Sequence, residues 1–375
     1  MKKKILYIVS TLKKSGPTNQ LFNIISNIDT NNFEPILITL SPEPNDSRWS
    51  DYESLGIEMH SLNLSRLGGV FLAKSKLKAI ISKIKPDVIH TQGIRADVLS
   101  SRLELSASTI STIRNFPQID FSMTYGRVMG AWMTWRQIRA LKHLDLVVGV
   151  SKAVKSNLEK NYQLKNTSMV QNGVDTLTYK PIEDEKKSLL RSKLDLPADN
   201  KIWVVSGGLT ERKDPLFLIG LWKKFILNEN NHTIIFIGGG SLESECKELA
   251  SEIERVEILG GVDNVGEYLK ASDFYISASV AEGLPNAALE AMACGLPVLL
   301  SDIEPHKEIY DMCPEVGFLF SLGEEKNFLK SFKALIQSDY SQKKKAALKL
   351  IATELSAAKM SHKYQVIYKD LIGDK

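Results

Sequence analysis

Two carboxylates eight residues apart, Glu282 and Glu290, bracket the stretch of this chain best suited to chemistry. Glu282-Gly283-Leu284-Pro285-Asn286 runs into Ala287-Ala288-Leu289-Glu290-Ala291-Met292-Ala293-Cys294-Gly295-Leu296-Pro297. The pattern predicts a strand ending near Ser277, a loop rich in Gly and Pro, and a short helix rich in Ala. Pro285 suits the first turn of that helix, Gly295 the position after its last turn, and Pro297 its stop. Small side chains let the helix approach a ligand closely. Its N-terminus offers unpaired N–H groups and the positive end of a dipole, a seat for phosphate. A carboxylate in the loop beside that seat can accept hydrogen bonds from a sugar's hydroxyls, and one deeper in the helix can hold a ribose diol. Two isolated glutamates would more often be surface residues; the loop and helix around these two favour function.

The elements that must position them recur along the whole chain. Apolar runs of strand length fall at 5–9, 36–40, 87–91, 109–113 and 145–150, and again at 202–206, 233–237, 256–259, 273–277 and 297–300. Helical periodicity fills the gaps, as in Leu21, Ile24, Ile25, Ile28 and in Leu77, Ile80, Ile81, Ile84, which predicts α/β architecture with parallel sheets. The turn at Asn172-Gly173-Val174-Asp175, followed by Pro181, places a boundary. The expected domains are 1–175 and 176–355. The stretch 341–372 reads as helical throughout, and its end, about 356–375, is expected to pack back on the first domain. Two doubly wound parallel-sheet domains of this kind would face a cleft at the carboxyl ends of their strands. His90 ends one strand beside Gly93 and Arg95; a satisfied core histidine and a functional one are equally good readings. Gly238-Gly239-Gly240 follows strand 233–237 and would let backbone approach a nucleotide, although it is no GxGxxG fingerprint, and there is no Walker A sequence.

Composition sets the class. The chain has 375 residues, 43% hydrophobic and 25% charged, more than one core usually supports. No apolar run approaches bilayer length. The run Ile5–Ser10 reads as a buried strand, being too short for the core of a signal peptide. Cys246, Cys294 and Cys313 have neither disulfide-framework nor metal-ligand spacing, which fits a reducing cytoplasm. The net charge is +4, but residues 1–175 hold 23 Lys and Arg against 14 Asp and Glu, leaving the remainder at −5. Random surface variation accounts for such a split as readily as a first half that faces an anionic surface or ligand. The scattered basic residues carry no nucleic-acid signature.

The segment Glu282…Glu290 with Glu-Ala-Met-Ala-Cys-Gly-Leu-Pro-Val resembles the E-x7-E signature of glycosyltransferase family 4, and the resemblance extends over nearly the whole chain. Ile5–Ser10 with Gly16-Pro17 looks like the first strand and acceptor loop. Lys85-Pro86-Asp87-Val88-Ile89-His90, Gly149-Val150-Ser151-Lys152-Ala153-Val154, Gln171–Asp175 and Ser301-Asp302…His306-Lys307-Glu308 resemble further family elements. The family implies a GT-B fold of two Rossmann-like domains and transfer with retention. By resemblance, Glu290 would hold the donor ribose. Glu282 with Gly283, Leu284, Pro285 and Asn286 would hold the transferred sugar and phosphates, and Gly207, Gly208, Gly239 and Val262 would border the nucleotide. Lys213 matches the lysine that neutralises the diphosphate, and Gly16, Pro17 and Arg95 fall on the acceptor side. The family usually has Arg five residues before that Lys; here Gly208 stands there, and Arg212 is the candidate replacement, the other reading being that it points to solvent. Arg114 occupies a position usually held by His. It cannot act as a general base but could bind sugar hydroxyls, an acidic sugar or a phosphate. With His90, Glu282, Lys213 and Arg212 it completes the catalytic set. No Asp-x-Asp ends a strand, so a metal is not expected.

Trp132-Met133-Thr134-Trp135-Arg136-Gln137-Ile138-Arg139-Ala140-Leu141-Lys142-His143 mixes aromatic, apolar and basic residues at helical spacing. It reads as a core-packed helix or as a patch that reaches anionic lipid. The resemblance leads to a cytoplasmic enzyme, peripheral on the inner face of the plasma membrane. It would move a hexosyl or N-acetylhexosaminyl group from a UDP-sugar, with GDP- or ADP-sugar as alternatives, to a saccharide or lipid-linked saccharide. The product would be capsule, lipopolysaccharide or a related surface polysaccharide, with no cofactor beyond the donor. A nucleotide-sugar 2-epimerase and a non-catalytic nucleotide-sugar-binding protein are the rivals.

Overall fold

The computed structural model describes residues 1–103, 105–226 and 231–373. The chain divides into two compact units, Met1–Gly173 with Ala357–Lys375, and Val174–Ser356. Residues 374 and 375, the tip of the expected terminal helix, lie outside the described residues.

Unit 1 is built on β1 (Lys3–Val9), β2 (Phe33–Thr39), β3 (Glu58–Ser61), β4 (Val88–Gln92), β5 (Ser108–Ile113), β6 (Leu146–Gly149) and β7 (Thr167–Met169). They form one parallel sheet in the order β3-β2-β1-β4-β5-β6-β7. Ile5, Leu6, Tyr7 and Ile8 are all fully buried, because helices cover both faces of a parallel sheet and its strands need apolar side chains on both. Leu21, Ile24 and Ile25 of the helix Gly16–Ser26 pack on one face together with Tyr364 and Tyr368 of the helix Ala357–Gly373. Ala73, Leu77, Ile81 and Ile84 of the helix Arg66–Ile84 pack on the other. The edge strands β3 (EMHS) and β7 (TSM) lack an apolar run, and no sequence pattern announced them.

Unit 2 carries β8 (Lys201–Ser206), β9 (His232–Ile237), β10 (Val256–Gly260), β11 (Phe274–Ser277), β12 (Val298–Ser301) and β13 (Gly317–Phe320), parallel in the order β10-β9-β8-β11-β12-β13. Its core gathers Trp203, Trp222, Phe236, Phe274, Phe328 and Phe332. In both units the strand order reverses once, between β1 and β4 and between β8 and β11. Ligands of open α/β sheets bind beyond the carboxyl ends of the strands at such a switch point.

The helix expected over 341–372 is two helices, Tyr340–Thr353 and Ala357–Gly373. The break falls where Val174 pairs with the backbone: its N–H donates to Leu355 O at 2.9 Å, and it bridges Ser356. Those groups could not make these bonds inside a continuous helix. The first helix belongs to unit 2 and the second to unit 1.

Candidate active site

In unit 2, two glycine loops meet at the ends of β8 and β9. Gly207 N–H donates to Ile237 O at 2.9 Å, Leu209 N–H to Gly239 O at 3.0 Å and Leu242 N–H to Leu209 O at 2.9 Å. A Cβ at Gly238 would lie 2.0 Å from Gly207 O, so the backbones can come this close only without side chains. Gly208 stands beside Gly239, and the half-buried Val262 follows Gly261, whose own Cβ would reach Gly239 N at 4.0 Å.

The loop from β8 then delivers two cations onto one carboxylate. Lys213 Nζ lies 2.5 Å from Glu282 Oε1, and Arg212 Nη1 lies 2.9 Å from Glu282 Oε2. Arg212 Nη1 also donates to Ala281 O at 3.1 Å, and Val280 N–H returns a bond to Arg212 O at 2.9 Å, which fastens the two loops together. Arg212 therefore turns inward, although 30% of its side chain stays exposed against 14% for Lys213. Glu282 is buried. Burial opposes its ionisation, but Lys213 and then Arg212 outweigh that and hold its carboxyl down to about 2.

A chain of hydroxyls fixes Glu282 from the other side. Ser279 Oγ donates to Glu282 Oε1 at 2.9 Å, and Ser301 Oγ donates to Ser279 O at 2.7 Å. His306 Nδ1 donates to Ser301 O at 2.9 Å. Burial, partly offset by Glu282, pushes His306 down to about 4, so the ring is neutral at pH 7. Its Nε2 then keeps a lone pair and is buried without a hydrogen-bond partner. Sequence quoted His306 but gave it no role; only the fold brings it under Glu282.

The helix after the loop spans Asn286–Ala293, with Pro285 one place ahead of its expected position, at the N-cap. Leu296 N–H reaches Ala291 O at 3.1 Å and Gly295 N–H reaches Met292 O at 2.9 Å, the paired closing bonds of a Schellman end with Gly295 at φ +85°. Glu290 is half-buried. Burial pushes its carboxyl up to about 7, against the pull of Lys213. Gly207, Gly208, Arg212, Lys213, Gly239, Val262, Glu282–Asn286 and Glu290 thus all belong to the carboxyl-end loops of one sheet or to the helix that follows. Two cations beside a helix N-terminus can hold a diphosphate.

Unit 1 sorts its residues differently. His90 is fully buried, with Nδ1 2.8 Å from Tyr368 Oη and Nε2 2.7 Å from Thr112 Oγ1, which in turn lies 2.8 Å from Tyr364 Oη. Burial and then Arg114 push its pKa down to about 3. Of the two readings open to His90, a core histidine and a functional one, the occupied ring nitrogens match the environment of a core histidine. Arg114 follows β5 and is held by Gln92 Oε1, 3.2 Å from Nε and 3.0 Å from Nη2, and by Asn172 Oδ1, 3.1 Å from Nη1. Gly16 and Pro17 open the helix Gly16–Ser26, whose N-cap Ser15 accepts from Thr18 N–H. Arg95 lies in the helix Ile94–Ser100 and donates to Ser41 Oγ. Gln92 was missed; its place at the end of a parallel strand, two residues after His90, was the signal. Among the described residues no three His, Cys, Asp or Glu side chains gather as metal ligands would.

Residues 15–177 match the model of Glycosyltransferase Family 4, and residues 200–338 match that of Glycosyl transferases group 1. The chain belongs to glycosyltransferase family 4. It is 27% identical over 263 residues to the uncharacterized glycosyltransferase MJ1059 of Methanocaldococcus jannaschii, covering 64% of this chain and 62% of that protein. It is 26% identical over 269 residues to the Escherichia coli UDP-Gal:alpha-D-GlcNAc-diphosphoundecaprenol alpha-1,3-galactosyltransferase, covering 68% of this chain and 67% of that one. The E. coli O-antigen biosynthesis glycosyltransferase WclY is 24% identical over 99% of each chain. Among solved structures, Anabaena HepE in complex with UDP superposes with a TM-score of 0.79 at 18% identity, covering 99% of this chain and all of that one. The likeness shows that this family 4 glycosyltransferase has the same fold.

Proposed function

We propose that the protein transfers a hexosyl or N-acetylhexosaminyl group from a UDP-sugar, with retention, to a lipid-linked saccharide in the synthesis of a cell-surface polysaccharide. The observation that carries this reading is the pair Arg212 and Lys213 converging on Glu282 at the head of the helix Asn286–Ala293. In this reading unit 2 holds the donor. Lys213 and Arg212 face the diphosphate and stabilise the charge that develops as the C1–oxygen bond to it breaks. Released in part from those cations, Glu282 accepts hydrogen bonds from the sugar, and Glu290 holds the ribose. The acceptor oxygen bonds to C1 on the face the leaving group vacates, and its proton passes to the departing diphosphate. Two fixed cations supply the countercharge that a metal supplies elsewhere, so transfer proceeds without one.

Unit 1 takes the acceptor in this scheme. UDP-Gal and a diphosphoundecaprenol-linked acceptor in the name of one relative, UDP in the crystals of HepE and O-antigen synthesis in the name of WclY support the choice of substrates. The helix Arg127–Leu141 supports a membrane-facing role: Val128, Met129, Trp132 and Trp135 are exposed, with Arg136 over the Trp132 ring and Arg139 over Trp135. Exposed tryptophans mixed with arginines suit the headgroup region of an anionic inner leaflet. Among the described residues no helix is long and apolar enough to cross a membrane.

Incubating the full chain with UDP-, GDP- and ADP-sugars in EDTA tests the reading. UDP-sugars should raise the melting temperature and be slowly hydrolysed, and transfer should give a product of unchanged anomeric configuration by NMR. Donor binding without hydrolysis or transfer, an epimerised nucleotide sugar, an inverted product, or activity that returns only with added metal would each overturn it.

A further inference from the structure

Arg114 carries a charge that unit 1 does not neutralise. A guanidinium stays protonated and has five N–H donors. Arg114 spends them on amide oxygens alone, Gln92 Oε1 and Asn172 Oδ1, and forms no ion pair among the described residues. Because Arg has no acceptor, both amides must turn oxygen toward it. That orientation forces the Nε2 of Gln92 out as a donor beside the guanidinium. Gln92 is 8% exposed, and its Nε2 is buried without a hydrogen-bond partner. Holding a half-buried cation against neutral dipoles alone is unfavourable, and a carboxylate at the same place would offset part of that cost. The buried carboxylate of Asp97 is no counter-charge here. It accepts from Thr91 and Ser111, which alternate to the sheet face opposite His90 and Gln92.

The surroundings place the pair near the start of a helix. Tyr52, within electrostatic reach of Arg114, donates its hydroxyl to Thr18 O in the first turn of the helix Gly16–Ser26. Gly173, next to Asn172, donates to Gln20 Oε1 of the same helix. Arg114 and Gln92 therefore stand at the carboxyl ends of β5 and β4, near the start of the helix that follows β1, at the switch point of the unit 1 sheet.

We propose that unit 1 binds an oxyanion of the substrate, a phosphate or carboxylate group, between the guanidinium of Arg114 and the side-chain amide of Gln92. That the anion is carried by the acceptor rests on the function proposed above; that the pocket takes an anion does not. A neutral sugar hydroxyl would leave the charge unmatched, whereas an oxyanion takes up the remaining N–H groups and the charge together.

The test is a thermal-shift titration of the full chain with inorganic phosphate and with glucuronate, glucose serving as the neutral control. Wild type should respond to at least one anion and not to glucose. Arg114→Lys, which keeps the charge and loses the fork, should weaken the response at least tenfold. Gln92→Glu places a carboxylate beside the guanidinium; it should abolish the response and raise the melting temperature without ligand. Each titration is run in saturating UDP, which occupies the diphosphate site, so that the response left reports this pocket. A response to phosphate alone identifies a phosphorylated acceptor, one to glucuronate alone an acidic sugar, and both mark a pocket that reads charge. An anion response unchanged in Gln92→Glu or absent from wild type overturns the proposal, as does a Gln92→Glu protein that melts below wild type. Donor hydrolysis measured alongside keeps the two readings apart: hydrolysis without anion binding sinks this proposal alone, and anion binding without hydrolysis sinks only the function.

Discussion

Lys213 and Arg212 in unit 2 meet a carboxylate, whereas Arg114 in unit 1 meets two amides. Both groups of cations stand at the carboxyl ends of parallel strands beside a switch point, so position alone does not distinguish them. The counter-charge does. In unit 2 Glu282 offsets one of the two cationic charges at rest, and Ser279, backed by Ser301 and His306, holds it in place. A diphosphate arriving there exchanges one anion for another, and the interaction gained is greatest once the leaving group carries its full charge. Among the described residues of unit 1 no anion pairs with Arg114 and has to be displaced, so an incoming one gains its full interaction on binding. Unit 2 is thus arranged to favour a change in charge, and unit 1 to favour a charge already present. By that difference, mutations of the unit 2 cations act on turnover and mutations at Arg114 act on affinity.

Removing Lys213 should do the most damage. It is the less exposed cation, and its contact with Glu282 is the shorter. Lys213→Ala should lower kcat by about 10²- to 10³-fold, the scale on which a lost transition-state contact acts, while donor Kd changes by less than tenfold. Steady-state kinetics with one donor and one acceptor, beside direct donor titration, separates the two. A loss carried by Kd with kcat intact would place Lys213 in ground-state binding and erase the contrast between the units.

Arg212→Ala follows, with a smaller effect. Its guanidinium shares Glu282 with Lys213 but also bonds Ala281 O and remains partly solvated. Solvent screening weakens such a charge, so a fall in kcat of roughly tenfold is expected. A wild-type kcat in Arg212→Ala would show that Lys213 suffices at the diphosphate and that nothing replaces the cation missing at Gly208. A loss equal to that of Lys213→Ala would show the two acting as one unit.

Much of this contrast could be read from the chain, and the rest could not, for identifiable reasons. Strands β1, β8 and β9 carry continuous apolar runs because they are buried on both faces, and so they were legible. Strands β3 and β7 are edge strands of mixed polarity, stabilised by their neighbours, and were not. The loop and helix around Glu282 and Glu290 were legible because Gly, Pro and Ala at fixed spacing have local conformational meaning. The same local reading supposed one helix over 341–372, since pairing of Val174 with the chain near Leu355 is a contact between residues far apart in sequence. Counter-charge is likewise non-local. Arg114 is separated by 22 residues from Gln92 and by 58 from Asn172. That its partners are amides, and that Arg212 and Lys213 share a carboxylate some 70 residues on, depends on which strands lie side by side. His90 shows the same limit. A histidine ending a strand looks the same in sequence whether it faces a ligand or, as here, Tyr368 and Thr112.

Glu290 offers the smallest effect and the finest test of how unit 2 handles charge. Burial raises its carboxyl to about 7, so near neutrality it is part protonated, unlike Glu282. The sign for stability follows from linkage. A native pKa above the unfolded value means that the folded state binds the proton more tightly. The stabilisation is fully present below about pH 4.5, the ordinary value for this carboxyl, and is lost as pH rises through 7. Wild type should therefore lose melting temperature between pH 5.5 and 8 relative to Glu290→Gln, whose side chain resembles the protonated form. Donor affinity should run the other way. An ionised Glu290 is the stronger acceptor for ribose hydroxyls, and a charge-assisted bond exceeds a neutral one by roughly 1 kcal/mol. Affinity in wild type should rise about fivefold from pH 6 to pH 8 with an inflection near 7, and Glu290→Gln should be flat across the same range. Calorimetric titration of an intact UDP-sugar, whose diphosphate lacks the second ionisation of a terminal phosphate, reads the affinity of both proteins at several pH values. If the affinity of Glu290→Gln follows the same pH curve as wild type, the titrating group is not Glu290 and the ribose role fails. If wild type is flat while Glu290→Gln binds more weakly at every pH, Glu290 holds the ribose as a fixed anion. Its resting charge would then match that of Glu282, and unit 2 would keep both its carboxylates ionised.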